Sequence, residues 1–198
     1  DRCLSRGLGD VYKRQFYTGA APNQQAIPAT DYYLEELGIE KFALLGTDYV
    51  YPRTTNKILN QYLIDKGIPE SDIFVNYTPF GHSDWSKIVA DVVALGADGK
   101  KVGVISTING DANIGFYKEL AAAGVNAEDI PVVAFSVGEE ELSGLDTTNL
   151  VGHLAAWNYF QSAESDLNTA FIKNWKSTMG SERVTNDPME AHVIGFNM

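Results

Sequence analysis

Short apolar runs alternate along the chain with longer segments in which apolar residues recur at helical spacing. The runs at 41–46, 72–80, 101–107 and 130–136 are predicted to be strands. The first of them, KFALLG, is continuous, which is typical of a strand buried on both faces. The alternation predicts an α/β fold in three layers, with a parallel sheet covered by helices on both faces and right-handed connections.

The segments between these strands carry the periodicity and the end signals of amphipathic helices. Residues 54–67, for example, place Leu59 and Leu63 on one helical face. Ser83 or Asp84 is the expected cap of the helix that follows the second strand. We predict helices at 22–38, 54–67, 83–96, 111–124, 165–180 and 187–198, a short helix at 139–144, and a strand that begins near residue 150.

The first residues of the chain differ in character from the rest. The run SRGLGDVYKRQ, Ser5–Gln15, resembles the in-frame translation of a transposon-type sequencing adapter. We therefore expect residues 1–15 to be foreign and the native sequence to start near Phe16. The only cysteine, Cys3, falls in this tail, so no internal disulfide is expected. The last predicted helix lacks a stop signal, and we expect a fragment cut at both ends.

Composition and charge exclude several classes of protein. The 198 residues are 44% hydrophobic, enough for one large domain or two small lobes. The formal net charge is −11, and it becomes −13 without the tail, whose residues include four basic and two acidic ones. No cluster of Lys and Arg is present, so we expect no nucleic-acid partner. The sequence contains no uncharged apolar stretch of about 18 residues, so we predict no membrane-spanning helix.

Sequence motifs of enzymes are missing. The chain contains no phosphate-binding loop, no dinucleotide fingerprint, no H-E-x-x-H and no G-x-S-x-G. His82, Ser83 and Asp84 carry the residue types of a catalytic triad, but three consecutive residues cannot converge on one point in space. We therefore predict a protein that is not an enzyme and that needs neither a metal nor a cofactor.

Candidate ligand-binding residues cluster where the predicted strands end. In parallel sheets, ligands bind outside the carboxyl ends of the strands. The segments there are GTDYVYP, TPFGHSD, STINGDAN and FSVGEEE, which are rich in aromatic, hydroxyl, amide and carboxylate groups. The candidates are Asp48, Tyr49, Tyr51, Thr107, Asn109, Phe135, Ser136 and Glu139.

Several of these residues have a purely structural alternative. Tyr49 and Tyr51 flank Val50, so in an extended turn they share one side, but either ring could instead pack against the next helix. Glu139 belongs to an acidic helix start, which the helix dipole favours without any ligand. Tyr117 is expected to lie in the core or on the surface. The joint occurrence of these groups at successive strand ends favours a pocket.

Seven segments in order resemble the substrate-binding proteins of urea ABC transporters. They are FYTGAAPNQQAIPA, GTDYVYPRTTNKIL, YTPFGHSDW, STINGDANIGFYKEL, PVVAFSVGEEEL, GHLAAWNYF and VTNDPMEAH, and the resemblance runs from Phe16 to Met198. That group has the type 1 periplasmic binding protein fold, which it shares with branched-chain amino-acid binders and a cytoplasmic short-chain amide sensor. The resemblance implies a partial fold, with one whole lobe and pieces of the other.

The resemblance also implies a domain division and a function. Residues 16–38 would be the end of the first lobe and the crossover, 39–155 the second ligand-binding lobe, and 156–198 the return towards the first lobe. The implied function is the periplasmic or extracytoplasmic binding subunit of an ABC importer, which takes urea or a similar short amide and engages the permease subunits. The alternative is a cytoplasmic short-chain amide sensor that regulates a partner protein.

The family motifs carry over to individual residues. Tyr49 and Tyr51 match the two tyrosines that line the amide pocket of the sensor. Asn109 follows the S-T-x strand end, where the sensor has an apolar residue, and so fits a ligand richer in hydrogen-bonding groups. Glu139 matches more loosely an acidic residue of the amino-acid binders. Urea, which is planar and neutral, suits tyrosine rings that sandwich it while their hydroxyls hydrogen-bond.

Overall fold

Five parallel strands form one sheet in a computed structural model that describes residues 18–143 and 146–198. The predicted adapter tail, including Cys3, lies outside the described residues. The strands are β1 (Lys41–Thr47), β2 (Ile73–Thr78), β3 (Val102–Thr107), β4 (Val132–Ala134) and β5 (Leu154–Ala155). Their order across the sheet is β2-β1-β3-β4-β5, and every pair is parallel.

Helices follow the strands in the order that the hydrophobic pattern predicts. They are α1 (Ala26–Glu35), α2 (Val50–Asp65), α3 (Ser86–Leu95), α4 (Ala112–Ala122), α5 (Glu139–Leu142), α6 (Asp166–Met179) and α7 (Asp187–Asn197), with 3-10 turns at Glu70–Asp72 and Thr147–Asn149. The main differences from the prediction are at the ends of elements. The fourth strand is shorter than 130–136, and α2 begins four residues before residue 54.

Two hydrophobic cores cover the two faces of the sheet. Phe42 and Leu44 of β1 face one core together with Tyr33 of α1 and Leu59 of α2. The alternate residues of β1 face the other core, which contains Trp85, Ile88, Val89 and Val92 from the α3 region and Phe116, Tyr117 and Leu120 from α4. Because successive side chains of a strand point to opposite faces, one apolar run serves both cores. The predicted three-layer α/β arrangement is confirmed.

The strand register brings the carboxyl ends to one edge. Gly46 of β1 lies opposite Tyr77 of β2 and Thr107 of β3, and Ser106 lies opposite Ala134 of β4. The segments that follow these strands therefore emerge side by side. At the other edge, the buried Lys41 ammonium donates to the carbonyl of Leu95 at 2.9 Å, so the amino ends are held by a separate set of contacts.

Helix α1 packs on this sheet. The ring of Tyr33 has no exposed surface, and its hydroxyl donates to the carbonyl of Val104 at 3.4 Å. Gln25, just before α1, donates through Nε2 to the carbonyls of Phe135 and Ala156 at 3.1 and 2.6 Å. Residues that the sequence analysis assigned to the end of the first lobe thus contribute to the core beneath β3 and β4, while the lobe boundaries themselves stay a prediction.

Packing of Tyr33 on Gly103 predicts a steric penalty. A Cβ atom at Gly103 would lie 2.7 Å from Cε2 of Tyr33 and 3.1 Å from Cγ2 of Ile39. We expect Gly103→Ala to lower the free energy of unfolding by about 1–3 kcal/mol, because overpacking forces these rings and side chains apart. The matched control is Gly19→Ala, where an added Cβ meets nothing within 4 Å. Guanidinium denaturation checks both, and equal stabilities would contradict the packing described.

Candidate ligand-binding site

Three neighbouring rings, those of Tyr49, Tyr51 and Phe80, form an aromatic wall at the carboxyl end of β1. Tyr49 is extended, with φ −157°, and α2 begins directly after it at Val50. The ring centroids of Tyr49 and Tyr51 are 6.1 Å apart, and the Tyr49 ring lies 5.1 Å from that of Phe80, which follows β2. The prediction of an extended turn over Tyr49–Tyr51 is wrong, since Tyr51 belongs to the first helical turn. The two rings are close neighbours nonetheless.

Pro52 explains why the helix starts so early. Proline is tolerated in the first turn of a helix, because the N–H groups there have no partner within the helix. Pro52 is the third residue of α2 and is buried against β1, while Val50 is 79% exposed. The sequence therefore contained the signal for the helix start. Placing Pro52 in the first turn of α2 would have predicted a start near Val50.

The Tyr51 hydroxyl lies near Ser136, which follows the end of β4. The pKa of Tyr51 is raised to about 12, mainly by burial. The Ser136 hydroxyl acts in the opposite direction, and the neighbouring Tyr49 and Asp187 add to the rise. Ser136 follows β4 and is half-buried. Because Tyr51 stays protonated at neutral pH, its hydroxyl can both donate and accept a hydrogen bond. Two of the predicted site residues, Tyr51 and Ser136, are thus brought together.

Asn109 presents an acceptor at the end of β3. Its backbone N–H donates to Oγ1 of Thr47 at 2.9 Å, and its side-chain Nδ2 donates to the carbonyl of Thr107 at 2.9 Å. These two bonds fix the side chain while it remains half-buried. Its Oδ1 has no hydrogen-bond partner among residues 18–143 and 146–198, and it is available to a ligand N–H.

Thr107 and Phe135 are placed inside the protein. The buried Thr107 hydroxyl lies 3.1 Å from the carbonyl of Leu45 and 3.3 Å from Oδ1 of Asn56, so its single O–H is donated within the protein. Phe135 is 1% exposed and belongs to the core on the α1 side of the sheet. Both residues support the strand ends from within, and direct ligand contact by either of them stays a prediction.

The carboxylates of Asp48 and Glu139 are already engaged by protein groups. Asp48 is exposed and pairs with Arg53, whose hydrogen bond lowers the pKa of Asp48. The Glu139 carboxylate accepts from the N–H and the hydroxyl of Ser162 at 2.9 and 2.8 Å. Burial alone would raise the pKa of Glu139, but these hydrogen bonds outweigh it and the pKa is lowered. A ligand role for either carboxylate stays a prediction.

Asp187 is a residue of this region that the sequence analysis did not single out. It is 4% exposed, and its Oδ2 accepts the N–H groups of Asn158 and Tyr159 at 2.9 and 3.1 Å. Burial raises the pKa of Asp187, although both N–H groups act in the opposite direction. Its negative charge lies close enough to Tyr51 to raise that pKa as well. The only sequence signal at Asp187 is its position at the start of a predicted helix, directly before Pro188.

The triad-like run at 82–84 does not assemble. The His82 ring packs edge-on against Trp85, with centroids 4.9 Å apart. Asp84 instead accepts from the N–H of Ser86 at 3.3 Å and from its hydroxyl at 2.6 Å. Asp84 therefore binds the first N–H of α3 from outside the helix. The prediction that Ser83 or Asp84 is the cap is wrong, because Trp85 holds the N-cap position and no side chain caps this helix. The group is therefore structural.

A comparison with protein families decides the class of the chain. A family model described as a periplasmic binding protein domain matches residues 10–198. The chain belongs to this family. Its members are binding proteins and not enzymes, in agreement with the expectation from the missing motifs. Across the ranges that the structure describes, no helix combines the length and apolar character that crossing a bilayer requires.

Solved structures of binding proteins have the same fold. The chain superposes on a solute-binding protein of an ABC transporter from Rhodopseudomonas palustris HaA2 in complex with p-hydroxybenzoic acid, with a TM-score of 0.69 and 19% identity over 82% of this chain. It also matches a leucine-, isoleucine-, valine-, threonine- and alanine-binding protein from Brucella ovis, with a TM-score of 0.67 and 13% identity over 91% of this chain. A leucine-binding protein from Thermotoga maritima matches with a TM-score of 0.64 and 14% identity over 89% of this chain.

These likenesses confirm the type 1 periplasmic binding protein fold. The chain spans 43% of the Rhodopseudomonas protein, 44% of the Brucella protein and 47% of the Thermotoga protein. At identities this low the comparison establishes the fold alone. What the chain binds must be inferred from the residues at the ends of its strands.

The two backbone bonds to Asp187 predict a stability effect. Asp187→Ala leaves the N–H groups of Asn158 and Tyr159 without their acceptor, and we expect a loss of about 1–3 kcal/mol in the free energy of unfolding. Asp187→Asn keeps an acceptor oxygen and should lose less. The matched control is Asp111→Ala, because Asp111 is exposed and its side chain caps no helix. Guanidinium denaturation that ranks Asp111→Ala as the more damaging change would contradict the role of Asp187.

Proposed function

We propose that this chain is part of the substrate-binding component of an ABC importer and that it binds urea or a similar short amide between two lobes. The observation that carries the proposal is the set of groups around Tyr51. A neutral hydroxyl pair, Tyr51 and Ser136, lies beside an aromatic wall and close to the buried carboxylate of Asp187. Family membership supports the binding role, and the ABC transporter role of the structural neighbour from Rhodopseudomonas palustris supports the transport role.

The hydrogen-bonding capacity of these residues suits a ligand that is rich in N–H groups. Urea offers four N–H donors and one acceptor oxygen. Oδ1 of Asn109 and the oxygens of Ser136, Tyr51 and Asp187 are acceptors, and either hydroxyl can donate to the urea oxygen. A buried donor without an acceptor costs about 1–3 kcal/mol, so a site that offers several acceptors favours urea and short amides over apolar ligands.

Charge favours a neutral ligand over a carboxylate. Asp187 places a negative group near the proposed contact point, and a ligand carboxylate would be repelled there. Arg53, the basic residue nearest in sequence to the aromatic wall, is paired with Asp48 and lies 4.8 Å from the centre of the Tyr77 ring. This arrangement differs from what a benzoate or an amino acid would need, since both carry a carboxylate that a cation or several N–H groups must meet.

The proposed mechanism is closure of two lobes around the ligand. The strand ends of the described sheet would form one wall, and a second lobe would form the other. The closed form would then dock on the permease subunits in an extracytoplasmic compartment. Urea has four heavy atoms, so at about −1.5 kcal/mol per atom its affinity is limited to about −6 kcal/mol, a dissociation constant of tens of micromolar.

The proposal predicts that Tyr51 contributes to affinity. In a two-lobed protein that contains this chain, we expect Tyr51→Ala to weaken urea binding by about 1–3 kcal/mol, through loss of a ring face and a hydroxyl. Isothermal titration calorimetry with urea, formamide, acetamide, leucine and 4-hydroxybenzoate measures the effect and identifies the ligand class.

Two controls make this experiment specific. Tyr32→Ala removes an exposed tyrosine of α1, and His82→Ala removes a histidine that packs on Trp85. Each should change the affinity by less than about 0.5 kcal/mol, as is usual for changes away from a binding site. A larger effect for His82→Ala than for Tyr51→Ala would place the site elsewhere. Tight binding of leucine or 4-hydroxybenzoate with none of urea would overturn the ligand assignment.

A further inference from the structure

A cavity of about 380 Å³ lies next to Val137 and Gly138, in the segment that connects β4 with α5. Its walls come from α4, α5, β5 and the stretch after β5, and most of them are apolar, including Leu142, Leu150, Leu154 and Phe160. Neither Tyr51 nor Asn109 lines it, so it is separate from the aromatic wall at β1. Pockets of roughly 300–1,000 Å³ with apolar walls and a few polar groups are typical of small-molecule sites.

Five polar side chains also line the cavity: Tyr117, Glu139, Thr147, His153 and Ser162, of which Glu139 and Ser162 hydrogen-bond to each other. Tyr117 of α4 and His153, just before β5, both line the cavity, and their ring centroids are 5.9 Å apart. Nδ1 of His153 accepts the backbone N–H of Val132 at 3.1 Å, so a neutral ring carries its proton on Nε2. Besides the Glu139–Ser162 pair, the cavity therefore offers one ring N–H donor, from His153, and the hydroxyls of Tyr117 and Thr147, which can donate or accept.

Two of these side chains, Tyr117 and His153, have polar atoms without a partner in the described ranges. Within the described part of the chain, the Tyr117 hydroxyl and Nε2 of His153 make no hydrogen bond, although Tyr117 is 6% exposed. Both atoms keep some accessible surface, so a guest with a matching polar group can take the place of water there. Burial raises the pKa of Tyr117 and lowers that of His153, so both are uncharged at neutral pH.

We propose that this cavity binds a neutral aromatic alcohol of one or two rings, that is, a molecule of the phenol or naphthol class. The ring packs against Leu142, Leu150 and Phe160, and the ligand hydroxyl accepts from Nε2 of His153 and donates to the hydroxyl of Tyr117. Glu139, which also lines the cavity, disfavours aromatic carboxylates by its negative charge. The cavity includes Glu139, a candidate residue of the urea site, but neither Tyr51 nor Asn109, and the inference does not rest on urea binding.

Fluorescence titration of the 198-residue chain with 2-naphthol at pH 7 tests the proposal. We expect saturable binding that 10 mM urea does not displace, and weaker binding of 2-naphthoate by about tenfold or more. Tyr117→Phe removes only a hydroxyl that has no protein partner, so the variant should fold and keep its thermal stability. It should bind 2-naphthol about tenfold more weakly while its binding of naphthalene is unchanged.

The matched control is Tyr32→Phe, which removes the hydroxyl of an exposed tyrosine on α1 and should bind 2-naphthol like the parent chain. Absence of saturable binding up to 1 mM 2-naphthol would overturn the proposal. So would displacement by urea, because the ligand would then occupy the other site. Equal affinity of Tyr117→Phe and the parent chain would exclude the assigned hydrogen bond, and equal affinity for 2-naphthoate would exclude the neutral class.

Discussion

Close approach of α2 to the sheet at Gly46 is the constraint on which the candidate site depends. A Cβ atom there would lie 2.5 Å from Oγ1 of Thr107 and 2.7 Å from Cβ of Pro52. Only glycine leaves room for both the neighbouring strand and the first turn of the helix. Because the first turn can dock on the strand, Tyr51 is carried towards the end of β4 instead of into solvent.

Internal hydrogen bonds then hold the strand ends in place. The Thr47 hydroxyl binds the backbone of Asn109, and the Thr107 hydroxyl lies within hydrogen-bonding distance of the Leu45 carbonyl and of Asn56. These side chains are buried and their bonds join β1 to β3. Groups held in this way need little ordering when a ligand arrives, so less binding free energy is lost to side-chain entropy. A very small ligand such as urea gains most from this preorganisation, since it offers few contacts.

The fold was largely predictable from the sequence, because strand and helix periods are local properties. The alternation of apolar runs with amphipathic segments predicted the parallel sheet and its two covered faces, while the place where ligands bind stays a prediction. The start of α2 was missed because Val50 and Tyr51 read as part of an extended turn, although Pro52 allowed a helix there. The start of α2 depends on the packing of its first turn against Gly46, a tertiary contact that the local sequence pattern does not show.

The site was less predictable, since its members meet through long-range contacts. Asp187 binds backbone groups 28 and 29 residues earlier in the chain, and Glu139 binds Ser162, 23 residues later. No local pattern distinguishes a carboxylate that faces a ligand from one already satisfied by the backbone. For the same reason Phe135 was expected at the strand-end pocket, whereas its side chain fills the core.

A crystal structure of a two-lobed protein that contains this chain, grown with urea, tests the account most directly. The account predicts urea between the lobes, with an oxygen or nitrogen about 2.7–3.2 Å from the Tyr51 hydroxyl and with Ser136, Asn109 or Asp187 among its other partners. Urea bound at the amino ends of the strands near Lys41, or bound between the lobes without contact to Tyr51, would contradict it.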